Sequence, residues 1–317
     1  MAVILILTNK WDITADFVVE DLRDRKVKFL RVNSEDLVEK SFTISFPDFK
    51  VFLKVGREQV NITDCLTAVW YRRPGFPYDN VHESIKPSKA VQKFINSQWL
   101  TALEALQLIP HVLWINDPVE NTKMENKARQ LLRAQELGFN IPQTSITNDS
   151  EEVQRLARLY ENRVVAKALY APLVEEEEQD YFIFSNVVSL KQLDSDEIAL
   201  SPAIFQQPIQ PKIDYRVTVI ADKVIPVRIS LPDKTTSKLD WRTDEKVIFE
   251  PCSLPVEIEN LCRQYVKRSN LVFGAIDLVE QNGEFYFLEI NPNGEWGWLQ
   301  KIGSVSIASE VANVLCR

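Results

Sequence analysis

The sequence predicts an α/β protein in which short β-sheets are covered by helices. In the first half of the chain, apolar strand-like runs alternate with segments whose apolar residues recur at helical spacing. In the second half, strand-like runs dominate and end in a hairpin and a last helix. With 317 residues, the chain has room for two or three domains that each bury a core. We therefore expect an α/β first domain followed by units of α+β type.

Composition is that of an ordinary globular protein, with 45% hydrophobic and 26% charged residues. The longest apolar run ends at Leu7 and is far shorter than the roughly 20 residues of a membrane helix. No basic segment precedes this run, so we expect neither a membrane span nor a signal peptide. The net charge of −8 argues against a nucleic-acid partner. These features predict a cytoplasmic protein.

The rare residue types exclude several kinds of site. Four cysteines without a C-x-x-C pair argue against a zinc site or a disulfide framework, and two histidines argue against histidine-based catalysis. The eight glycines never occur as G-x-G-x-x-G or as G-x-x-x-x-G-K-[ST]. The chain therefore lacks both a dinucleotide-binding fingerprint and a P-loop. If a nucleotide binds, lysines and groups carried by strands must hold its phosphates.

Residues 1–117 form the first predicted unit, which begins as β-α-β and ends at the turn sequence Asn116-Asp117-Pro118. The helices are recognised from a capping residue followed by apolar residues at helical spacing. The predicted elements are strand Val3–Thr8, a helix capped by Asp12 or Thr14 and reaching about Arg25, strands Val27–Val32, Val51–Val55 and Ala68–Tyr71, a helix from Ser88 to about Leu108, and strand Val112–Ile115.

Two further units are predicted, over residues 118–202 and 203–317. The elements of the second unit are a helix capped by Asn121 and closed by Gly138, a helix from Ser150 to about Tyr160, and strands Arg163–Leu169 and Tyr181–Ser185 joined by the acidic loop Glu175–Glu178. Those of the third unit are strands Ala203–Gln207, Tyr215–Ile220, Val224–Ser230 and Lys246–Glu250, a helix Val256–Ser269, a hairpin, and a last helix Ile302–Cys316.

The hairpin carries the strongest chemical signal. Its second strand places Glu289 and Asn291 on one face, because side chains alternate along a strand. A two-residue Asn282-Gly283 loop would send Asp277 of the first strand to the opposite face. A three-residue loop, 282–284, would instead set Asp277 opposite Glu289, Ala275 opposite Asn291 and Val279 opposite Phe287. We favour the three-residue loop, since it also pairs two apolar side chains.

With that register, two carboxylates and an amide oxygen converge as a hard-oxygen site suited to Mg²⁺ held together with phosphates. The alternative is a set of polar side chains on an ordinary hairpin. Acidic residues between apolar neighbours would then be costly in a sheet, so we favour the metal site formed by Asp277, Glu289 and Asn291.

Four cationic side chains could complete a nucleotide site. Lys167 lies in the apolar strand Val164–Leu169, where an inward-pointing lysine has an anionic partner. Lys127 lies in the first turns of a helix, where a solvated position is the simpler interpretation. Arg216 and Arg228 also lie in strands, and a salt bridge is the alternative to phosphate binding for both.

Several segments resemble the ATP-grasp superfamily, in the order in which that family has them. They are Asn126-Lys127 with Leu137–Thr144, Val165-Ala-Lys167, Phe205–Ile209, Asp214-Tyr-Arg216, Asp240-Trp-Arg242 and Asp277 with Glu289-Ile-Asn291. Within the superfamily, Trp70–Pro74 and Glu289–Trp296 resemble the microviridin-type peptide maturases, the graspetide macrocyclases. The resemblance covers nearly the whole chain and implies an ATP-grasp fold behind a Rossmann-like first domain.

The resemblance also implies roles for individual residues. It implies Lys127 and Lys167 on the α- and β-phosphates, the hinge residues Gln206, Gln207, Pro208 and Ile209 on adenine, Asp214 on the ribose or nucleotide face, Asp277, Glu289 and Asn291 on Mg²⁺ (two ions), and Arg216 and Arg228 on the transferred phosphoryl group and the acyl phosphate. One departure is that no glycine-rich flap lies between Lys167 and Tyr181.

The implied activity is ATP-dependent closure of ω-ester or ω-amide rings in a ribosomally made precursor peptide, which a homodimeric enzyme would bind through a leader segment. Asp and Glu side chains would be activated as acyl phosphates, and Thr, Ser or Lys side chains would attack them. A RimK-type ligase that adds glutamate to a terminus is the alternative within the superfamily. A non-catalytic nucleotide-binding regulatory module is the alternative of another class.

Overall fold

The computed structural model describes residues 2–55, 58–72, 74–78, 86–170, 173–174, 181–230, 246–302 and 305–317. Its strands are β1 (Val3–Thr8), β2 (Phe29–Asn33), β3 (Ser41–Ser45), β4 (Lys50–Val55), β5 (Glu58–Asn61), β6 (Leu66–Tyr71), β7 (Leu113–Ile115), β8 (Thr144–Thr147), β9 (Arg163–Lys167), β10 (Leu173–Val174), β11 (Tyr181–Phe182), β12 (Asn186–Ser189), β13 (Ala203–Gln206), β14 (Ile213–Ile220), β15 (Lys223–Ser230), β16 (Ile248–Pro251), β17 (Phe273–Gln281) and β18 (Glu284–Asn291).

The α-helices lie between these strands and after the last of them. They are α1 (Ile13–Asp24), α2 (Lys89–Glu104), α3 (Pro118–Glu125), α4 (Lys127–Leu137), α5 (Ser150–Arg158), α6 (Ser195–Ala199), α7 (Val256–Arg268), α8 (Gly297–Gln300) and α9 (Ile307–Leu315). Within the described ranges, no helix is long and apolar enough to cross a membrane.

Three main sheets build the molecule. The first is parallel, in the order β2-β1-β6-β7. The second is antiparallel, in the order β12-β9-β13-β8. The third is antiparallel, in the order β16-β15-β14-β17-β18. The strands of the first and third sheets lie within residues 1–117 and 203–317, whereas the second sheet combines three strands from residues 118–202 with β13, which begins at Ala203.

The single helix predicted from Asn121 to Gly138 is two helices in the structure, α3 and α4, and Asn126 caps the second. Two caps also lie before the predicted residue. Asp117, not Asn121, caps α3, and its side chain accepts from the backbone N–H of Val119 at 2.8 Å. Asn121 is buried inside that helix and accepts from Asn116 at 3.0 Å. Asp149, not Ser150, caps α5. In both cases an aspartate precedes the expected position, and its carboxylate is an equally good acceptor for the free N–H groups of the first turn.

Other element bounds also differ. The helix that starts at the predicted cap Ser88 ends at Glu104 and continues as a 3-10 turn. The last helix begins at Ile307 rather than at Ile302. The small sheet β3-β4-β5 was only partly expected. The acidic loop Glu175–Glu178 and the segment Asp240–Arg242 lie outside the described residues.

The end of the chain packs against its beginning. The core that covers one face of the first sheet includes Val18 of α1 and also Trp296, Leu299 and Val311, which lie beyond the hairpin. The segment that follows Asn291 is therefore held by the first domain. This packing fixes the hairpin end next to the first sheet.

Candidate active site

The strands of the hairpin pair as expected at Asp277 and Glu289, but the loop that joins them differs from the prediction. Asp277 pairs with Glu289, and Ala275 pairs with Asn291, as expected. The three-residue loop is wrong, however, because Gln281 pairs with Glu284 around a two-residue turn. Asn282 and Gly283 have φ of 53° and 86°, the positive values that a two-residue turn of this type needs.

A β-bulge next to Asp277 resolves the apparent contradiction. Leu278 pairs with Phe287, so Leu288 is an extra residue in the second strand. The extra residue reverses the alternation of side chains and returns Asp277 to the face of Glu289. Val279 accordingly pairs with Tyr286 rather than with the predicted Phe287.

The three predicted metal ligands lie together. The side-chain Nδ2 of Asn291 is 3.3 Å from Asp277 Oδ2 and 3.3 Å from Glu289 Oε1. The described residues contain no group of three His, Cys, Asp or Glu side chains placed to hold a metal. A metal at this position would therefore need the amide oxygen of Asn291 as well as the two carboxylates. Two carboxylates and an amide are the hard oxygen donors that Mg²⁺ prefers, so the residues fit that ion.

Two cations hold the carboxylates in place. Arg216 Nε lies 2.7 Å from Asp277 Oδ1, across the pairing of β14 with β17. Lys127 Nζ lies 2.7 Å from Glu289 Oε2. Asn126 caps α4 and so places Lys127 at the first helical position, pointing towards the hairpin. Burial alone would raise the pKa of Glu289, but the charges of Lys127 and Lys167 and the hydrogen bond from Lys127 lower it instead.

Lys167 reaches the same cleft from the second sheet. Its ammonium group donates to Gln206 Oε1 at 2.8 Å, and Gln206 Nε2 donates to Thr144 Oγ1 at 2.9 Å. Burial lowers the pKa of Lys167 to about 8, and the charges of Lys212 and Lys127 add to this effect against those of Glu289 and Asp277. An anion that bound beside Lys167 would relieve the cost of burying its charge.

These groups line one cavity of about 520 Å³ between the second and third sheets. Of the predicted site residues, the cavity is lined by Lys127, Lys167, Gln206, Gln207, Ile209, Asp214, Arg216, Asp277, Glu289 and Asn291. It is also lined by Lys212, which forms an ion pair with Asp214. Lys212 was missed because a lysine between strands has no sequence pattern that distinguishes it from a solvated one.

The structure does not bring Arg228 to this cavity. Arg228 pairs with Tyr215 across β14 and β15, and paired residues of an antiparallel ladder share a face. Tyr215 alternates with Arg216 along the strand, so it and Arg228 belong to the other face of the sheet. Tyr215 nevertheless lines the cavity, whereas Arg228 is not among the described residues that do. The prediction of Arg228 as a catalytic residue needed the register of β14 with β15, which the strand sequences leave open. Pro208 does not line the cavity either, although its neighbours do.

Buried polar residues that sequence reasoning missed hold the hairpin end. The Asn116 side chain donates to the Phe273 and Pro292 carbonyls at 2.9 and 2.8 Å. Arg72, which is 2% exposed, donates to the Asn293 carbonyl at 2.7 Å and to Glu295 Oε2 at 2.6 Å. Arg72 lies within the quoted segment Trp70–Pro74, whose next residue, Arg73, lies outside the described residues.

Neither the family models nor the curated proteins gave a match to the sequence, but solved structures did. A Chryseobacterium gregarium ATP-grasp ligase, associated with ribosomally synthesised and modified peptides and solved with ADP and a leader and core peptide, is 27% identical, with a TM-score of 0.86 over 100% of this chain and 97% of that chain. The macrocyclase MdnC from Microcystis aeruginosa, bound with the precursor peptide MdnA, is 22% identical, with a TM-score of 0.85 over 99% of both chains.

A third similar structure contains the metal. The ATP-grasp ligase PsnB, complexed with a phosphomimetic variant of a minimal precursor, Mg and ADP, is 19% identical, with a TM-score of 0.77 over 99% of this chain and 97% of that chain. These full-length similarities confirm the predicted ATP-grasp fold.

Proposed function

We propose that this chain, an ATP-grasp ligase by its full-length structure, uses ATP to join side chains within a ribosomally made precursor peptide. One observation carries the proposal. Two lysines, an arginine and a three-residue oxygen cluster converge in a single cavity, in a chain whose whole length has the structure of peptide-modifying ligases. The full-length similarity to ligases solved with precursor peptides favours an enzyme over a regulatory module that only binds nucleotide.

The oxygen cluster would hold Mg²⁺. Asp277, Glu289 and Asn291 are the residues that would bind it. Lys127 and Arg216, which now pair with the two carboxylates, would have to leave one oxygen of each free for the ion. When bound, Mg²⁺ neutralises charge on the phosphates of ATP. Two ions remain our proposal, as the resemblance implies, because carboxylates can bridge two ions that phosphate oxygens also bind.

The lysines and the hinge would hold the nucleotide. Lys127 and Lys167 are the cations proposed for the α- and β-phosphates. In the hinge, the N–H of Gln207 already donates to the Gln143 carbonyl at 2.8 Å, and Pro208 has no N–H. The N–H of Ile209, which is buried at the cavity wall, is therefore our candidate to meet adenine. Asp214 stays the candidate for the ribose, held in place by Lys212.

The chemistry follows from the poor reactivity of a carboxylate. An Asp or Glu side chain of the peptide attacks the γ-phosphorus, ADP leaves, and an acyl phosphate forms. A hydroxyl or amine of the same peptide then attacks the carbonyl carbon, the C–O bond to phosphate breaks, and phosphate leaves. Arg216, 8% exposed and facing the cavity, is placed to neutralise the transferred phosphoryl group. Arg228 has no role in this proposal.

Mass balance separates this reaction from glutamate ligation. The enzyme is incubated with ATP, Mg²⁺ and a precursor peptide whose tail carries repeated Thr and Glu or Asp residues, and the mass of the product is measured. We expect stepwise losses of one water per ring, each coupled to one ADP and without added amino acid. A mass gain that requires free glutamate would establish the RimK-type ligase instead.

The remaining proposals concern the setting of the enzyme. The described cysteines are free thiols, which agrees with a cytoplasmic location. A homodimer is supported by α2, on which Val91 and Phe94 are 45% and 64% exposed and no residue is buried. The leader segment of the precursor is the proposed recognition element, and the acidic loop Glu175–Glu178 lies outside the described residues.

A further inference from the structure

The outer edge of β18 is completed by a side chain rather than by another strand. β18 is the last strand of its sheet, so the backbone groups on the side away from β17 need other partners. The side-chain amide of Gln130, which lies in α4, faces this edge. Its Oε1 accepts from the N–H of Ile290 at 3.1 Å, and its Nε2 donates to the C=O of Ile290 at 2.9 Å. Gln130 thus makes both bonds that a paired residue of a neighbouring antiparallel strand would make.

Ile290 lies between two of the proposed metal ligands. Its side chain is fully buried and packs in the core with residues of α4 and α7. Glu289 and Asn291 line the cavity of about 520 Å³, which we call the nucleotide cavity. The two bonds from Gln130 hold the stretch of backbone that carries both ligands. A displacement of this part of the strand would therefore move two ligands together.

Gln130 belongs to the same helix face as Lys127. The two residues are three positions apart in α4, a spacing that places side chains next to each other on a helix. Lys127 Nζ lies 2.7 Å from Glu289 Oε2, and Gln130 bonds the backbone of the next residue along the strand. One helix face thus holds two successive residues of β18. The separation between Lys127 and the metal ligands depends on the contact of Gln130 with the strand.

The remaining donor of Gln130 is also used within the protein. Nε2 donates to the C=O of Met124 at 2.6 Å. Met124 lies in the last turn of α3, where carbonyl groups lack helical partners. Gln130, Ile290 and Met124 are all buried, so loss of the amide would leave their backbone groups unpaired. Neither glutamate nor methionine, which have similar lengths, offers two donors and an acceptor.

We infer that Gln130 is a positioning residue for the metal site. Its amide holds β18 where Glu289 and Asn291 bind Mg²⁺ and where Lys127 meets the phosphates. Although Gln130 lines the nucleotide cavity, its polar atoms already bond the protein, so it acts through the strand rather than by contact with the nucleotide. The inference rests on the proposed function only through its nucleotide and Mg²⁺ site and is independent of the peptide.

The test is Gln130→Met, which keeps the length of the side chain and removes its three hydrogen bonds. We expect the Mg²⁺ concentration needed for half-maximal tightening of ADP binding to rise about tenfold, the scale of one buried group left unpaired. Affinity for ADP in the presence of EDTA should change less than about threefold, because Lys167 is untouched. Calorimetric titration measures both. Exchange of the Ile290 amide hydrogen with D₂O should be at least about tenfold faster.

Tyr265→Phe is the matched control. The buried Tyr265 hydroxyl donates to the backbone C=O of Gln130 at 2.9 Å. This variant removes a buried hydrogen bond from the same residue of α4 but leaves the contact of the Gln130 side chain with Ile290. We expect a lower melting temperature, with the Mg²⁺ requirement and the exchange of the Ile290 amide hydrogen within twofold of the wild-type values.

Gln130→Glu serves if Gln130→Met does not fold, since it keeps an acceptor for the Ile290 N–H and loses both donors. An unchanged Mg²⁺ requirement in the folded variant, or an equal shift in Tyr265→Phe, would overturn the positioning role. If Mg²⁺ does not alter ADP affinity in the wild-type protein, the metal site and this inference fall together. A wild-type protein that binds ADP with Mg²⁺ but closes no rings would overturn the proposed function alone.

Discussion

The two cavities that meet at Asn291 and Pro292 have opposite electrostatics. In the nucleotide cavity, each carboxylate is paired with a cation at 2.7 Å, and further lysines surround the pairs. The neighbouring cavity, of about 800 Å³, is bounded by α2, α3 and the ends of β6 and β7. It is lined by Glu104 and Glu125, which form no ion pair among the described residues. The nucleotide cavity is thus suited to phosphates, whereas its neighbour, within the described ranges, offers no cation of this kind to an anion.

The largest effect is expected from the oxygen cluster. Glu289→Gln or Asp277→Asn should lower turnover about a thousandfold, because charge on the moving phosphoryl group would lose its metal. The fold should persist, since both substitutions keep the size and shape of the side chain. ADP release measured with precursor and Mg²⁺ checks this. Glu284→Gln, at the exposed start of the same strand, is the control.

Turnover within tenfold of the wild-type value in Glu289→Gln would contradict the metal assignment. The nucleotide cavity would then differ from its neighbour in its lysines alone.

The next effect concerns nucleotide affinity. Lys167→Ala should weaken binding of ADP by about 2–4 kcal/mol, the scale of a charged partner lost from a buried phosphate. Lys127→Ala should act in the same direction but less strongly, because Lys127 shares its charge with Glu289. Calorimetric titration measures both. The exposed Lys191→Ala, on the second sheet's side of the molecule, should bind as wild type does.

Unchanged affinity in a folded Lys167→Ala protein would remove the phosphate site from this cavity. The positive charge of this cavity would then no longer indicate that it binds phosphates.

The contacts of Arg72 with the segment after Asn291 give a third prediction. Arg72→Lys should lower the free energy of unfolding by about 2 kcal/mol, because a single ammonium group replaces the two donors that hold Asn293 and Glu295. The segment after Asn291 would loosen, so the Mg²⁺ concentration needed for half-maximal turnover should rise. Arg155→Lys, in an exposed ion pair, is the matched control.

An unfolding loss without any change in Mg²⁺ requirement would make Arg72 a structural residue only. The position of the segment after Asn291 would then not affect Mg²⁺ binding in the nucleotide cavity.

The sequence predicted those parts of the fold and site that depend on local pattern. The strand Val3–Thr8 has the predicted bounds, and Gly138 closes its helix with the positive φ of 95°. The pairing of Asp277 with Glu289 was also predicted, because we chose the register that places both carboxylates on one face of the hairpin. The bulge was not, since a three-residue loop and a two-residue loop with one bulge place Asp277 identically.

The rest depended on contacts between distant segments. The face of Arg228 is set by the register of two strands, and alternation alone leaves it open. The burial of Asn121 and Arg72 reflects packing against residues near the end of the chain. The neighbouring cavity arises where α2 and α3 approach the first sheet. Its lining residues come from several separate segments, so no local sequence pattern predicts it.

The smallest effect, a dependence on pH, sharpens the comparison of the cavities. Burial first, then the neighbouring lysines, lower the pKa of Lys167 to about 8. Lys167 is therefore charged below this pH and neutral above it, and phosphates bind the charged form. Affinity for ADP should be constant up to the pKa and then fall about tenfold for each further pH unit. Lys167→Arg stays charged throughout and should remove the fall. ADP titrations at several pH values with both proteins check this, and the same decline in Lys167→Arg would show that a different group causes it.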